Sequence, residues 1–208
     1  MASNLDHNTQ SLSRFPYCFT EEGHLCHRVT GESYVFRFNC HDVEGTQREQ
    51  ATLCSFITTY VYNILEHHLQ LQRAFLPHSE GFVYTSPGAL KNKRALLVLI
   101  QDAGSMHCGV WSWRMVVREC LNKGSQIPYI LWAMTESWAV LLMNPNEGGK
   151  SPEEHVCCVW DCMISQVKWL FNTLFTISFT TLQRHIWDFS SSSLTQSVFC
   201  KSHLAMQF

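Results

Sequence analysis

Serine, histidine and acid side chains occur together late in the chain, at Ser165, Ser178, His185, Asp188 and His203. These are the residue types of a serine hydrolase, in which a His base activates a Ser nucleophile and an acid orients the His. In an α/β hydrolase the nucleophile stands on a strained strand-to-helix turn, G-x-S-x-G, and the acid and then the His follow it in the chain. No glycine occurs after Gly149, so none of these serines has the small neighbours that such a turn requires. The order Ser178, His185, Asp188 is also wrong for that fold. The expectation is no catalytic residue and no enzyme, because the nucleophile elbow and the downstream triad positions are absent.

Cys18, His24, Cys26, His27, Cys40 and His41 form a second constellation, of zinc-ligand types. Their spacing matches no zinc knuckle. On an extended strand His24 and Cys26 share one face and His27 takes the other, so one four-ligand site needs strand distortion. Surface histidines and half-buried thiols are expected, with no metal and no cofactor. Cys157 and Cys158 are adjacent and so point in different directions on a helix, and no C-x-x-C occurs, which favours packing over redox chemistry. Trp111, Trp113, Trp132, Trp138 and Trp160 lie in apolar helices and a strand and are expected in the core rather than as base-stacking platforms. Lys91, Lys93 and Arg94 read as a solvated turn.

The elements that must position these residues follow from hydrophobic period. Phe15–Phe19, Leu25–Val29 and Tyr34–Phe38 are short, partly alternating runs separated by Glu21-Glu22-Gly23 and Thr30-Gly31-Glu32, which predicts an antiparallel β-meander. From Gln47, Leu53, Phe56, Ile57, Tyr60, Val61, Ile64 and Leu65 recur at helical steps and predict an amphipathic helix ending near Leu71. Gly81–Thr85 and Trp138–Met143 read as strands, and Ala95–Ile100 as a strand buried on both faces. A helix from about Trp111 ends at Lys123-Gly124-Ser125, and Gln126–Glu136 forms another with Pro128 in its first turn. Asn144-Pro145-Asn146-Glu147 is a turn. Ser151-Pro152-Glu153-Glu154 is a capping box, followed by Val156, Val159, Trp160, Met163 and Ile164 on a buried face. Strands alternating with helices predict an α/β fold with a parallel sheet.

Composition sets outer bounds. The 208 residues are 46% hydrophobic, enough for one globular domain with a core. A net charge of −2 leaves no basic footprint for direct nucleic-acid binding. The first residues, Met1 to Gln10, have no basic or apolar leader region, so the ten cysteines are read as reduced thiols of an intracellular, soluble chain, with Cys54, Cys108, Cys157, Cys158 and Cys200 in apolar surroundings. Trp169 to Gln183 is too short and too polar for a membrane span. From Val167 to Phe208 there is no Gly, Pro, Tyr or Glu, and Asp188 is the only acid. Phe175, Ile177 and Phe179 alternate there as in a strand.

Several segments together carry a resemblance: Leu97-Val98-Leu99-Ile100 with its following loop, Gly124-Ser125-Gln126-Ile127-Pro128-Tyr129, Val140 to Glu147, and Ser151-Pro152-Glu153-Glu154-His155 leading to Val159-Trp160-Asp161. They resemble the Argonaute-binding (Arb-two) domain family, in particular its animal cotranscriptional-regulator branch. Phe15 through Gly31-Glu32 to Val35-Phe36 is similar to that branch too. The resemblance runs from about residue 15 to Gln166. It implies an α/β-hydrolase-like fold, an Argonaute-type partner, small RNA bound only indirectly, and nuclear work in small-RNA-directed heterochromatin formation or cotranscriptional control. It gives no small-molecule substrate and no membrane. Where the family has an oxyanion-type His-Gly-Ser-Gly loop, this chain has Gln101, Asp102, Ala103 and Gly104. The family's later strand and His-Ser-Tyr-Gly-Gly elbow have no counterpart after Gln166.

The domain reading is a disordered N-terminus over 1–14, a truncated Arb-two-like α/β domain over 15–166, and a divergent tail over 167–208. Two consequences are expected. The chain is a non-catalytic family member, nuclear by resemblance and otherwise nuclear or cytoplasmic. Alternatively, a lost parallel strand leaves a central sheet edge unpaired, and the chain is a marginally folded product of a decayed gene copy. A serine hydrolase is the remaining alternative.

Overall fold

The structure is a computed structural model that describes residues 15–77, 79–92, 94–148 and 151–165, and the backbones of two further strands at 173–178 and 196–200. The expected N-terminal disorder over 1–14, and His185, Asp188 and His203, lie outside the described residues.

The chain opens with a hairpin, β1 (Tyr17–Phe19) antiparallel to β2 (Leu25–His27). The expected meander stops there. Tyr34–Phe38 forms no third strand; one isolated bridge, Cys26 to Ser33, is all that follows. Tyr34 instead drops into the core, its ring edge-on to Tyr17 and its hydroxyl donating to Glu49, and Phe36 packs edge-on to Trp113. Side-chain burial against the neighbouring helices wins over extension of the hairpin.

Helix α1 (Val43–Asn63) begins earlier than its apolar period suggests, because Asp42 caps it by accepting from the Gly45 N–H at 2.8 Å. A π-helical turn, Ile64–His68, ends it. Then come β3 (Gln72–Phe75), which the alternation did not reveal, β4 (Phe82–Thr85) and β5 (Ala95–Ile100). The helix expected from Trp111 to Lys123 is two pieces, α2 (Trp113–Arg118) and α3 (Leu121–Gly124). The break lies where the Leu121 N–H donates to the carbonyl of Gly23, whose φ of +81° lets the N-terminal turn approach. Helix α4 (Ile127–Thr135), β6 (Ala139–Met143) and α5 (Pro152–Val159) follow, the last with its capping box intact and a π-helical extension through Ile164. None of the described helices is long and apolar enough to cross a membrane.

The sheet is mixed, which corrects the expectation of a parallel one. Its order is β3-β4-β6-β5-β7-β8, with β7 at Thr173–Ser178 and β8 at Gln196–Cys200. β3, β4 and β6 pair antiparallel, whereas β6, β5, β7 and β8 run parallel. Strand β7 pairs with β5 from Ala95↔Thr173 to Ile100↔Ser178. The β5 edge expected to be bare is therefore hydrogen-bonded on both sides. Thr173–Ser178 is rich in β-branched and aromatic types, and such composition suits pleated backbone whatever its kinship.

Period-two alternation explains why β5 and β6 are buried throughout. Leu97, Leu99, Val140 and Leu142 face one core with α1, α2, α4 and the hairpin; Leu96, Val98, Ile100, Leu141 and Met143 face the other, closed by Val156, Val159 and Ile164. Trp111 and Trp113 are buried as expected, but Trp132, Trp138 and Trp160 are half-exposed. Cys157 and Cys158 are likewise only partly covered, because α5 turns His155, Val156 and Val159 inward instead.

Gly148 fixes the turn after β6. Its φ is +98°, and a Cβ there would lie 2.5 Å from the Gly81 backbone. Gly148→Ala is expected to lower stability by about 2 kcal/mol, read as a fall in the urea midpoint with unchanged slope.

Candidate functional site

Parallel strands in an open α/β sheet offer ligands the crevice beyond their carboxyl ends. Here β5 and β6 both end at polar loops, residues 101–112 and 144–148. The residues Asn144-Pro145-Asn146-Glu147, read from sequence as a turn only, hold the two loops together.

Asn144 is completely buried. Its N–H donates to His155 Nε2 at 3.1 Å, and its Oδ1 accepts from the Cys108 N–H at 3.0 Å. Its Nδ2 donates to Glu147 Oε2 at 2.6 Å and to Tyr62 Oη at 3.1 Å. Every polar atom of the side chain is used, as burial demands. His155, 2% exposed on the capped helix, is thus a positioning group for this turn, while Asp161 is exposed. Asn146 donates to the carbonyls of Asp102 at 2.8 Å and Met106 at 2.7 Å, and accepts from the Gly104 N–H at 3.1 Å. Gln126 adds a third tie, accepting from the Gly109 N–H at 3.1 Å. Sequence alone signals these residues only weakly, because Asn and Gln in loops serve many turns.

Glu147 Oε2 also accepts from Tyr62 Oη at 2.9 Å. His107 Nδ1 lies 3.3 Å from the same oxygen, an ion pair when the imidazole is protonated. Burial raises the Glu147 carboxyl, but His107, Asn144 and Tyr62 overcome it and bring it from 4.5 down to about 2. Burial pushes Tyr62 and Cys108 strongly upward. Glu147 is therefore the anion of this cluster, while Tyr62 and Cys108 stay neutral.

His107 also lines a cleft of about 540 Å³ beside α1, together with Cys54, Ser55, Thr58 and Ser105. A His next to a carboxylate is part of the machinery that activates a nucleophile. The other part is poorly served: burial pushes the Cys54 thiol up to about 11, the opposite of an activated thiolate. The loop expected to matter for an oxyanion is also occupied. The Ala103 N–H donates to the Asp102 carboxylate at 3.0 Å, and the Gly104 N–H is held by Asn146.

The other sequence candidates are dispersed. The Ser165 hydroxyl donates to the Asp161 carbonyl one turn back, and Ser178 ends β7 with its backbone beside Ile100. Cys18 and Cys26 are cross-strand partners, while His27 Nδ1 accepts from the Thr30 N–H at 3.2 Å. Among the described residues no group of three or more His, Cys, Asp or Glu side chains is placed to hold a metal ion.

Two tests address the cluster. Asn144→Ala strands the Cys108 N–H and both Glu147 and Tyr62 partners, and is expected to cost about 3 kcal/mol in chemical denaturation. Because the folded Glu147 value is depressed, its stabilising contribution is full above pH 4.5 and is lost as pH falls through about 2. Stability of Glu147→Gln should accordingly fall less steeply than that of the parent across that acid window, measured by urea titration at each pH.

Residues 9–149 match the Arb2 domain, a span that contains α1, β3 to β6 and both loops of the Asn144 network. The cotranscriptional regulator ARB2A homolog of Xenopus tropicalis is 38% identical over 66% of this chain and 34% of its own length. Cotranscriptional regulator ARB2A of Homo sapiens is 35% identical over 70% of this chain and 37% of its own. The chain thus spans about a third of the length of these curated relatives. A solved structure of the histone deacetylase Clr3 superposes with a TM-score of 0.46 and 17% identity, covering 69% of this chain and 24% of that one. With the family matched over residues 9–149 of 208, the chain belongs to the Arb2 domain family.

Proposed function

We propose that this chain is a non-catalytic regulator acting through protein contact: it works in the nucleus with an Argonaute-type partner, in small-RNA-directed heterochromatin formation or cotranscriptional control, and meets small RNA only through that partner. The observation that carries the non-catalytic reading is the loop after β5. An oxyanion site needs backbone N–H groups free and aimed at developing charge. In this loop the Ala103 and Gly104 donors are taken by the Asp102 and Asn146 side chains, and the Asp102 carboxylate places negative charge beside them.

The sheet supports an α/β-hydrolase-like ancestry for this arrangement. An antiparallel edge followed by parallel β6, β5, β7 and β8 puts the β5 loop and the end of β7 side by side, where a hydrolase would present its oxyanion donors and its nucleophile. Here Ser178 stands at that strand end without glycine neighbours. The regulatory part of the reading is supported by relatives named cotranscriptional regulators, at 35% to 38% identity.

Exposure of the purified full chain to a fluorophosphonate serine probe is expected to leave it unlabelled. Stoichiometric labelling at one serine would overturn the non-catalytic reading. Argonaute is expected to co-purify with the tagged chain from nuclear extract and to survive ribonuclease treatment; absent or ribonuclease-sensitive capture refutes the partner.

A further inference from the structure

A groove of about 900 Å³ runs between the stretch that follows β2 and helix α2, on a different part of the molecule from the Asn144 network. Leu25, Tyr34 and Trp113 close its floor, all buried, and Phe36 is half-buried against Trp113. One rim is apolar and open: Val35 is 63% exposed and Phe38 66%. A single exposed hydrophobe is ordinary, but two flanking one concave surface create an apolar seat.

The opposite rim is cationic. Arg114 and Arg118 stand one turn apart on α2, both exposed. Neither guanidinium forms an ion pair among the described residues. Arg114 lies over the Trp113 ring, 5.5 Å from its centroid, which holds it at the groove wall. Glu119, the acid on this rim, is turned to Lys123 at 3.0 Å instead. Like charges one turn apart repel each other, and an anion seated between them removes that penalty.

We infer that this groove binds an acidic peptide segment of a partner protein, with an aromatic or large aliphatic anchor seated among Val35, Phe36 and Phe38 and carboxylates paired with Arg114 and Arg118. The inference rests on the protein-contact function proposed above and names the chemistry of the contact. Guanidinium forks pair with carboxylates in a bidentate way, and an apolar seat beside them selects an amphipathic segment. Nucleic acid fits less well. Stacking of successive bases needs several open ring faces, whereas of this groove's Phe, Tyr and Trp rings Phe38 alone is exposed, Trp113 being 8% and Tyr34 7% exposed, and the chain's net charge is −2.

The experiment uses the full chain and fluorescent synthetic peptides of about a dozen residues, read by anisotropy. One peptide carries a central Phe flanked by Glu, a second has Lys for Glu, and a third has Ala for the Phe. The acidic Phe peptide is expected to bind, and to weaken about tenfold or more with Arg114→Glu/Arg118→Glu, with Phe38→Ser, or with loss of its Phe. The Lys peptide should prefer the Arg114→Glu/Arg118→Glu chain. Arg114→Gln/Arg118→Gln provides the same loss of charge if reversal disturbs folding, which thermal melts report.

Equal binding of acidic and basic peptides overturns the inference. So does single-stranded RNA that displaces the peptide and binds Phe38→Ser as well as the parent, or self-association of the free chain that Phe38→Ser abolishes. Argonaute capture that fails while the acidic peptide binds refutes the Argonaute partner and leaves the groove standing. Capture that persists with no peptide binding refutes the groove alone.

Discussion

Asn144 is a polar side chain with no access to water, and such a group is tolerable only when all its hydrogen-bonding atoms are matched. Matching them fixes much else. The side chain needs the Cys108 N–H, the Tyr62 hydroxyl and the Glu147 carboxylate together in one place, while its own N–H needs His155. Those partners come from the β5 loop, helix α1, the β6 turn and helix α5. One residue therefore ties both layers of helices to the carboxyl end of the sheet.

The same demand accounts for the glycines around it. Gly109 must let its backbone approach α1, where a Cβ would sit 2.6 Å from Val61 Cγ1, and its φ is +90°. The loop between β5 and α2 can then reach Asn144, Asn146 and Gln126 without regular structure of its own. Side-chain oxygens accepting from backbone N–H groups hold it in place. Donors bound in this way lie within the fold. The Asn144 cluster thus fastens the β5 loop to the end of β6 and to helices α1 and α5.

Much of the fold was legible because its signals are local. Continuous aliphatic runs mark Ala95–Ile100 and Ala139–Met143, helical spacing marks Leu53 to Leu65, and Ser151-Pro152-Glu153-Glu154 specifies its own helix start. Less was legible where tertiary contacts override pattern. Tyr34–Phe38 alternates but forms no strand, with only Tyr34 and Phe36 turned inward, and the apolar period across Trp111 to Cys120 hides a break where Leu121 meets Gly23. Strand β3 was invisible because Gln72, Arg73 and Phe75 are exposed or half-exposed, with Arg73 engaged by Glu66 and by the Phe82 and Tyr84 rings.

The site divides in the same way. Sequence by itself determined that no G-x-S-x-G motif occurs and that no glycine follows Gly149, since composition and spacing are properties of the chain alone, while the family of the motifs from Leu97 to Glu147 came from their resemblance to the Arb2 domain. Only the tertiary structure decided that Asn144, Glu147, His155, His107 and Tyr62 meet, that β7 covers the edge of β5, and that Arg114 and Arg118 share a groove with Val35 and Phe38. Those residues are far apart in the chain, and polar side chains have no period that announces a distant partner. Their meeting depends on which strands lie side by side and on the burial that obliges each polar atom to find a match.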